Sequence, residues 1–290
     1  MTSLFPLLAL LTGSAAVTAA TVPPPQLALP ERRTPTFDLA LPLDETFPAP
    51  HPVVVVIHGG GWAQGDKTDR RETLTMDALV ARGYAALSVN YALFTFRDGL
   101  WKGPLTSDAW PGNVQDIVSV LSWIKHNGPN HRLDPGRVAL LGYSAGGHLA
   151  LLAAYGHDQD LIRGSVPAEH VSAVRAVISV YGIHDLKLFG ASVFQAGARP
   201  GEDRISLASP INYLRPDSPP TLVIHGEADS TIPYSAAEDF AAELARRGHP
   251  HVFVAVPHGR HGFALSTPEA GPANDALWAF LSELLRPPAS

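Results

Sequence analysis

RVALLGYSAGGHLALLAAYG, residues 137–156, decides the fold, because it joins two kinds of structure through one serine. RVALLGYS, 137–144, reads as a strand, and AGGHLALLAAYG, 145–156, reads as a helix. Gly142-Tyr143-Ser144-Ala145-Gly146 fits G-x-S-x-G at that junction, where the motif has mechanical meaning. A serine there occupies a sharp, strained turn that pushes its hydroxyl into the open. Glycines two residues to either side relieve the crowding. The helix that follows aims its positive N-terminal end at the hydroxyl and favours negative charge developing there. Ser144 is the candidate nucleophile.

The same strand-then-helix rhythm extends in both directions. VVVVIHGGGW, 53–62, is β-branched and continuously apolar, as a strand buried on both faces must be. RRETLTMDALVAR, 70–82, is helix-like and stops at Gly83; YAALSVNY, 84–91, is the next strand. NVQDIVSVLSWIKHN, 113–127, has helical spacing and ends at Gly128-Pro129. AVRAVISVYG, PTLVIHGEAD and HVFVAVPHG read as strands, and 235–248 and 273–286 as helices. TFDLALPL, 36–43, adds an early strand at one edge. This alternation implies a single α/β domain over 21–290, with a mostly parallel central sheet and helices on both faces. Segments 92–112 and 185–219 break the rhythm. They are expected to wall a pocket at the carboxyl edge of the strands.

Composition narrows the chemistry. The 290 residues are 46% hydrophobic and 17% charged, which suits a large core. The formal net charge of -6 and the lack of a basic run argue against a nucleic-acid surface. With no cysteine, disulfides, thiolate metal sites and cysteine nucleophiles are excluded together. The histidines show no H-E-x-x-H and no carboxylate-rich cluster, so neither metal nor cofactor is expected. At the N-terminus, Leu4 to Val17 is apolar and too short for a membrane span. VTAA then supplies small residues for cleavage near Ala19 or Ala20. Residues 1–20 therefore read as an export signal and the protein as secreted or periplasmic. Its oligomeric state is not encoded in any of these features.

A serine nucleophile needs fixed N–H groups for the oxyanion it creates, each worth about 3 kcal/mol. His58-Gly59-Gly60-Gly61-Trp62 follows an earlier strand of the same sheet, and its glycines allow close approach of backbone to substrate. Gly60 and Gly61 are the expected donors from that loop, with Ala145 as the third. His58 reads as structural, and so does His148, one turn beyond Ser144. A phosphate-cradling role fails because GGGWAQGDK lacks the G-x-x-x-x-G-K-[ST] spacing. An acid must follow Ser144 in the chain and a base must follow the acid. Glu227 and Asp229 in PTLVIHGEADSTIP, with Asp185 in YGIHDL, are candidate acids. His249 and His251 precede their strand, at the wrong edge of the sheet. His258 and His261 follow it.

Taken in order, HGGGW, GYSAGGHLA, HGEADSTIP and HGF resemble the α/β-hydrolase serine esterases. They are most similar to the compact feruloyl/acetylxylan-esterase-like and hormone-sensitive-lipase-like carboxylesterases, over most of 36–286. The resemblance implies an α/β-hydrolase fold and a Ser144-Asp229-His261 triad, from the H-G-x-x-D and H-G-F patterns. With residues 1–20 removed as an export signal, the mature chain has few residues ahead of the 36–43 strand, so the larger helical cap of the lipase-like branch is expected to be absent, which favours the compact branch and an open pocket. The implied activity is hydrolysis of short-to-medium acyl esters through an acyl-enzyme, with acetyl or feruloyl esters of plant polysaccharides as analogues. The same triad would serve a peptidase or amidase, and a binding relative could keep the fold without the chemistry. Trp62, Phe94, Phe96, Trp101, Trp110 and Phe189 are either pocket walls or core.

Overall fold

The computed structural model describes residues 35–43, 45–97, 105–189, 192–265 and 270–286. The export-signal reading of residues 1–20, and Trp101, lie outside them. Among the described residues nine strands are formed: β1 (Phe37–Ala40), β2 (His51–Ile57), β3 (Ala85–Val89), β4 (Thr95–Phe96), β5 (Leu105–Ser107), β6 (Leu133–Tyr143), β7 (Val174–Val180), β8 (Thr221–Gly226) and β9 (His251–Val256). Seven of them make one sheet in the order β1-β3-β2-β6-β7-β8-β9. β1 is antiparallel to β3 at the edge, and every other pairing is parallel. β4 and β5 form a separate two-stranded ribbon.

The long helices are α1 (Arg70–Val80), α2 (Gly112–Asn127) and α3 (Ala145–Gly156), followed in the chain by short α4 (Asp160–Arg163), α5 (Leu186–Phe189), α6 (Ser192–Gln195) and α7 (Arg204–Leu207). α8 (Tyr234–Arg246) and α9 (Gly271–Leu285) complete the set. Why β2 reads VVVV is visible in the packing. Val53, Val55 and Ile57 face one apolar layer with α2, α3 and α8. Val54 and Val56 face the other with α1 and α9. Successive side chains of a strand point to opposite faces, so a strand covered on both sides must be apolar throughout. All twelve residues of α3 are buried, which is why its sequence carries no polar face. Among the described residues, no helix is long and apolar enough to cross a membrane.

The two irregular segments differ in what they do. Phe189, near the start of the second, lines the cleft at the carboxyl edge, next to Ile183 from the turn just before that segment. Among its described residues, 92–112 supplies no lining side chain. Phe94 and Trp110 are buried and meet the Phe194 ring, which in turn meets Trp62. This segment supports the wall from behind.

Candidate active site

β6 ends at Tyr143 and α3 begins at Ala145, so Ser144 alone makes the turn, with φ 55° and ψ −117°. The left-handed φ is strained for a residue with a side chain, and the surroundings hold it there. Ser144 N–H donates to Val180 O at 2.9 Å. A Cβ on Gly142 would overlap the carbonyl of Gly146, and one on Gly146 would overlap the carbonyl of Ile57. The two flanking glycines are therefore demanded by backbone crowding.

Ser144 Oγ lies 3.0 Å from His261 Nε2, and His261 Nδ1 lies 2.7 Å from Asp229 Oδ2. The three residues come from the ends of β6, β8 and β9, up to 117 positions apart. A carboxylate only accepts, so Nδ1 carries the imidazole proton and Nε2 is left to accept from the serine hydroxyl. Asp229 is 7% exposed. Its Oδ1 accepts the N–H groups of Thr231 and Ile232 at 2.8 and 2.9 Å. Burial pushes its carboxyl upward, but bonds from His225, His261 and the Ile232 amide outweigh that and hold it well below the usual carboxylate range.

The glycine loop meets the same cleft. Gly60, Gly61 and Ala145 line a cavity of about 330 Å³ together with Ser144, His261 and Trp62. Gly60 has φ 109°, and its carbonyl accepts from Ala63 and Gln64, closing a tight turn. Among the described residues, no hydrogen bond occupies the N–H of Gly60, Gly61 or Ala145. They remain available as donors.

The other candidates fall elsewhere. Glu227 is exposed, and its N–H bonds Val256 O. Asp185 accepts from Lys187 N–H and from Ser209 Oγ, bracing its loop. His249 is buried at the amino end of β9 against Thr221 and Pro219. His258 is exposed in the loop before His261. His58 bonds the Gly59 carbonyl and stacks on Tyr91. His148 is fully buried, accepting from Trp62 Nε1 at 3.1 Å and donating to Ala208 O at 2.7 Å. Among the described residues, no cluster of three potential metal ligands exists.

Three contributors escaped the sequence reading. His225 Nε2 lies 2.9 Å from Ile232 O and 3.3 Å from Asp229 Oδ2, so one shared N–H steadies the acid. The ring of Tyr181 packs 4.9 Å from that of His261, and its hydroxyl donates to Phe263 O at 3.2 Å. Arg71 lines the cleft. Of these, only His225 had a signal in sequence, as the first residue of HGEAD.

The BD-FAE family model matches residues 37–244. Esterase LipQ of Mycobacterium tuberculosis is 29% identical over 228 residues, covering 74% of this chain and 51% of its own length. Esterase LipC of the same organism is 27% identical over 251 residues, covering 82% and 59%. The chain thus spans about half the length of the curated relatives it matches. A truncated carbohydrate esterase from gut microbiota superposes with TM-score 0.69 at 24% identity, covering 86% of this chain and 91% of that one. Est2 of Thermogutta terrifontis, a thermophilic esterase, gives TM-score 0.71 at 20% identity, covering 93% and 94%. The expected fold is borne out: the architecture is that of the α/β hydrolases.

Proposed function

This chain belongs to the BD-FAE family, and from that premise we propose that it is a serine carboxylic-ester hydrolase acting through an acyl-enzyme. The observation that carries the proposal is the unbroken line Ser144 Oγ, His261 Nε2, His261 Nδ1, Asp229 Oδ2, at 3.0 and 2.7 Å. His261 takes the Ser144 proton as Oγ attacks the ester carbonyl. Asp229 holds the imidazole in the required tautomer and stabilises its cation. The amides of Gly60, Gly61 and Ala145 receive the oxyanion, helped by the positive end of α3. His261 then protonates the departing alcohol, and water activated by the same imidazole releases the acid.

Trp62, Ile183, Phe189 and Ile232 make the cleft largely apolar, which suits a short-to-medium acyl chain. Likeness to a protein named as a carbohydrate esterase supports acetyl or feruloyl esters of plant polysaccharides as the substrate class. The apolar run Leu4 to Val17 followed by VTAA supports a secreted or periplasmic location. The decisive experiment is Ser144→Ala assayed on short p-nitrophenyl esters. A loss of about a thousandfold or more in kcat, with circular dichroism unchanged, is expected. Retained activity would remove the nucleophile from this scheme.

A further inference from the structure

Arg71 is the one permanently charged residue among the described residues that line the cleft around Ser144 and His261. Nothing in the acyl-transfer scheme uses it. It arrives from the first turn of α1, and its guanidinium is fixed on several sides. Its Cζ lies over the Tyr143 ring, 4.5 Å from the centroid. Nε and Nη2 both donate to Oε1 of the fully buried Glu72, at 3.1 and 2.6 Å. Nη1 reaches the Tyr181 hydroxyl at 3.4 Å. A guanidinium has five N–H donors, so these contacts leave one on Nη1 and one on Nη2.

Those free donors are close to the chemistry. Arg71 Nη2 lies 3.3 Å from the position a Cβ on Gly59 would take, and Ser144 Cβ lies 3.4 Å from the same point. The guanidinium and the nucleophile thus approach each other across a residue with no side chain. Beyond Arg71 the cleft continues past Asp66 and Asp69. The Thr68 hydroxyl, above all, holds the Asp66 carboxyl down at about 2 against the opposing pull of burial. An anion extending that far would meet like charge. An anion ending at Arg71 would not.

We propose that Arg71 is a substrate-binding residue that receives a carboxylate a few bonds from the scissile carbonyl, so that the site prefers short, carboxylate-bearing esters. This rests on reading Ser144 as the nucleophile of ester hydrolysis. Guanidinium–carboxylate bonds are charge-assisted and directional, and a guanidinium already held by stacking and by Glu72 loses little freedom on binding. Glu72 weakens the long-range field of the cation, so recognition depends on direct contact. The carboxylate can sit on the acyl side, as in a hemiester of a short dicarboxylic acid, or on the alcohol side, as in an ester of a hydroxy acid.

Two matched pairs of substrates test this. Phenyl hydrogen succinate is compared with its neutral ketone analogue phenyl 4-oxopentanoate, and acetoxyacetate with acetoxyacetone. In the wild type, at least one acid should exceed its ketone partner in kcat/KM by about tenfold, mainly through KM. The pair that shows it identifies the side. Arg71→Gln should bring that ratio to one or below, and Arg71→Lys should restore part of it. Should unpaired Glu72 prevent folding, the double change Arg71→Gln with Glu72→Gln carries the same comparison. A wild type that favours neither acid overturns the proposal. So does an Arg71→Gln variant that loses acid and ketone substrates by the same factor, which would assign the guanidinium to bracing Tyr143 and Tyr181. Ser144→Ala separates the two readings: if it still hydrolyses the ketone partners, the nucleophile assignment fails rather than the role of Arg71.

Discussion

At the scale of single residues, the site turns on which of several histidines can face the serine. His258 and His261 lie three positions apart in PHGRHGF, yet only His261 meets both Ser144 and Asp229. His258 adopts φ 59° in the exposed loop and touches neither. His261→Ala should therefore lower kcat on short esters by about a thousandfold or more, while His258→Ala stays close to wild type. The reverse pattern would move the base by three residues. Sequence alone narrows the base to these two residues, and the resemblance selects between them. Asp229 differs: its partner His225 stands four residues earlier in the same motif, but the shared N–H exists only because the turn after β8 folds back on itself.

At the scale of elements, the junction of β6 and α3 is the part that tolerates least change. Gly146 packs against the backbone at the end of β2, so its missing side chain fixes how closely α3 approaches the sheet. Gly146→Ala forces backbone against backbone and should destabilise the fold by about 3 kcal/mol or more. Urea unfolding of the variant beside the wild type measures this. A variant of unchanged stability would mean that α3 can shift without disturbing the sheet. The boundaries of α2 and α3 follow the sequence reading within a residue, since apolar spacing and glycine stops act locally. β6 begins at Leu133, earlier than the apolar run that announced it, because buried Leu133 pairs with His51 at the start of β2, while residues 134–137 lie in the register shift before Val138, are not buried and need no apolar face.

At the scale of the whole molecule, the burial that makes the core also makes it sensitive to acid. Burial pushes His148 and His184 down to about 4, in His184 against the charges of Asp185 and Asp239. An unfolded histidine titrates near 6.5, so acid adds protons to the unfolded chain before the folded one. The stability from these neutral imidazoles is complete above about pH 6.5 and drains as pH falls toward 4, at about 3 kcal/mol for each. Asp229 adds a later loss, at pH below the usual carboxylate range, because its depressed carboxyl favours the folded state only while ionised. The unfolding midpoint in urea should fall between pH 6.5 and 4, and His184→Phe, keeping the stack on Phe240, should flatten that fall. An equally steep fall in the variant would locate the acid sensitivity in other groups.

The α/β alternation, the serine at its strand-to-helix turn and the glycine loop that precedes it can all be read directly along the chain. These are legible because hydrophobic period, glycine placement and motif spacing act over a few residues. The tertiary structure alone decided which side chains from distant strand ends converge. Arg71 looked like an ordinary helix residue, and Tyr181 like the end of a strand. Their places beside Ser144 and His261 follow from the order in which β6, β7 and β9 lie in the sheet and from the packing of α1 against it. Contacts between residues a hundred positions apart leave no local pattern in the chain that makes them.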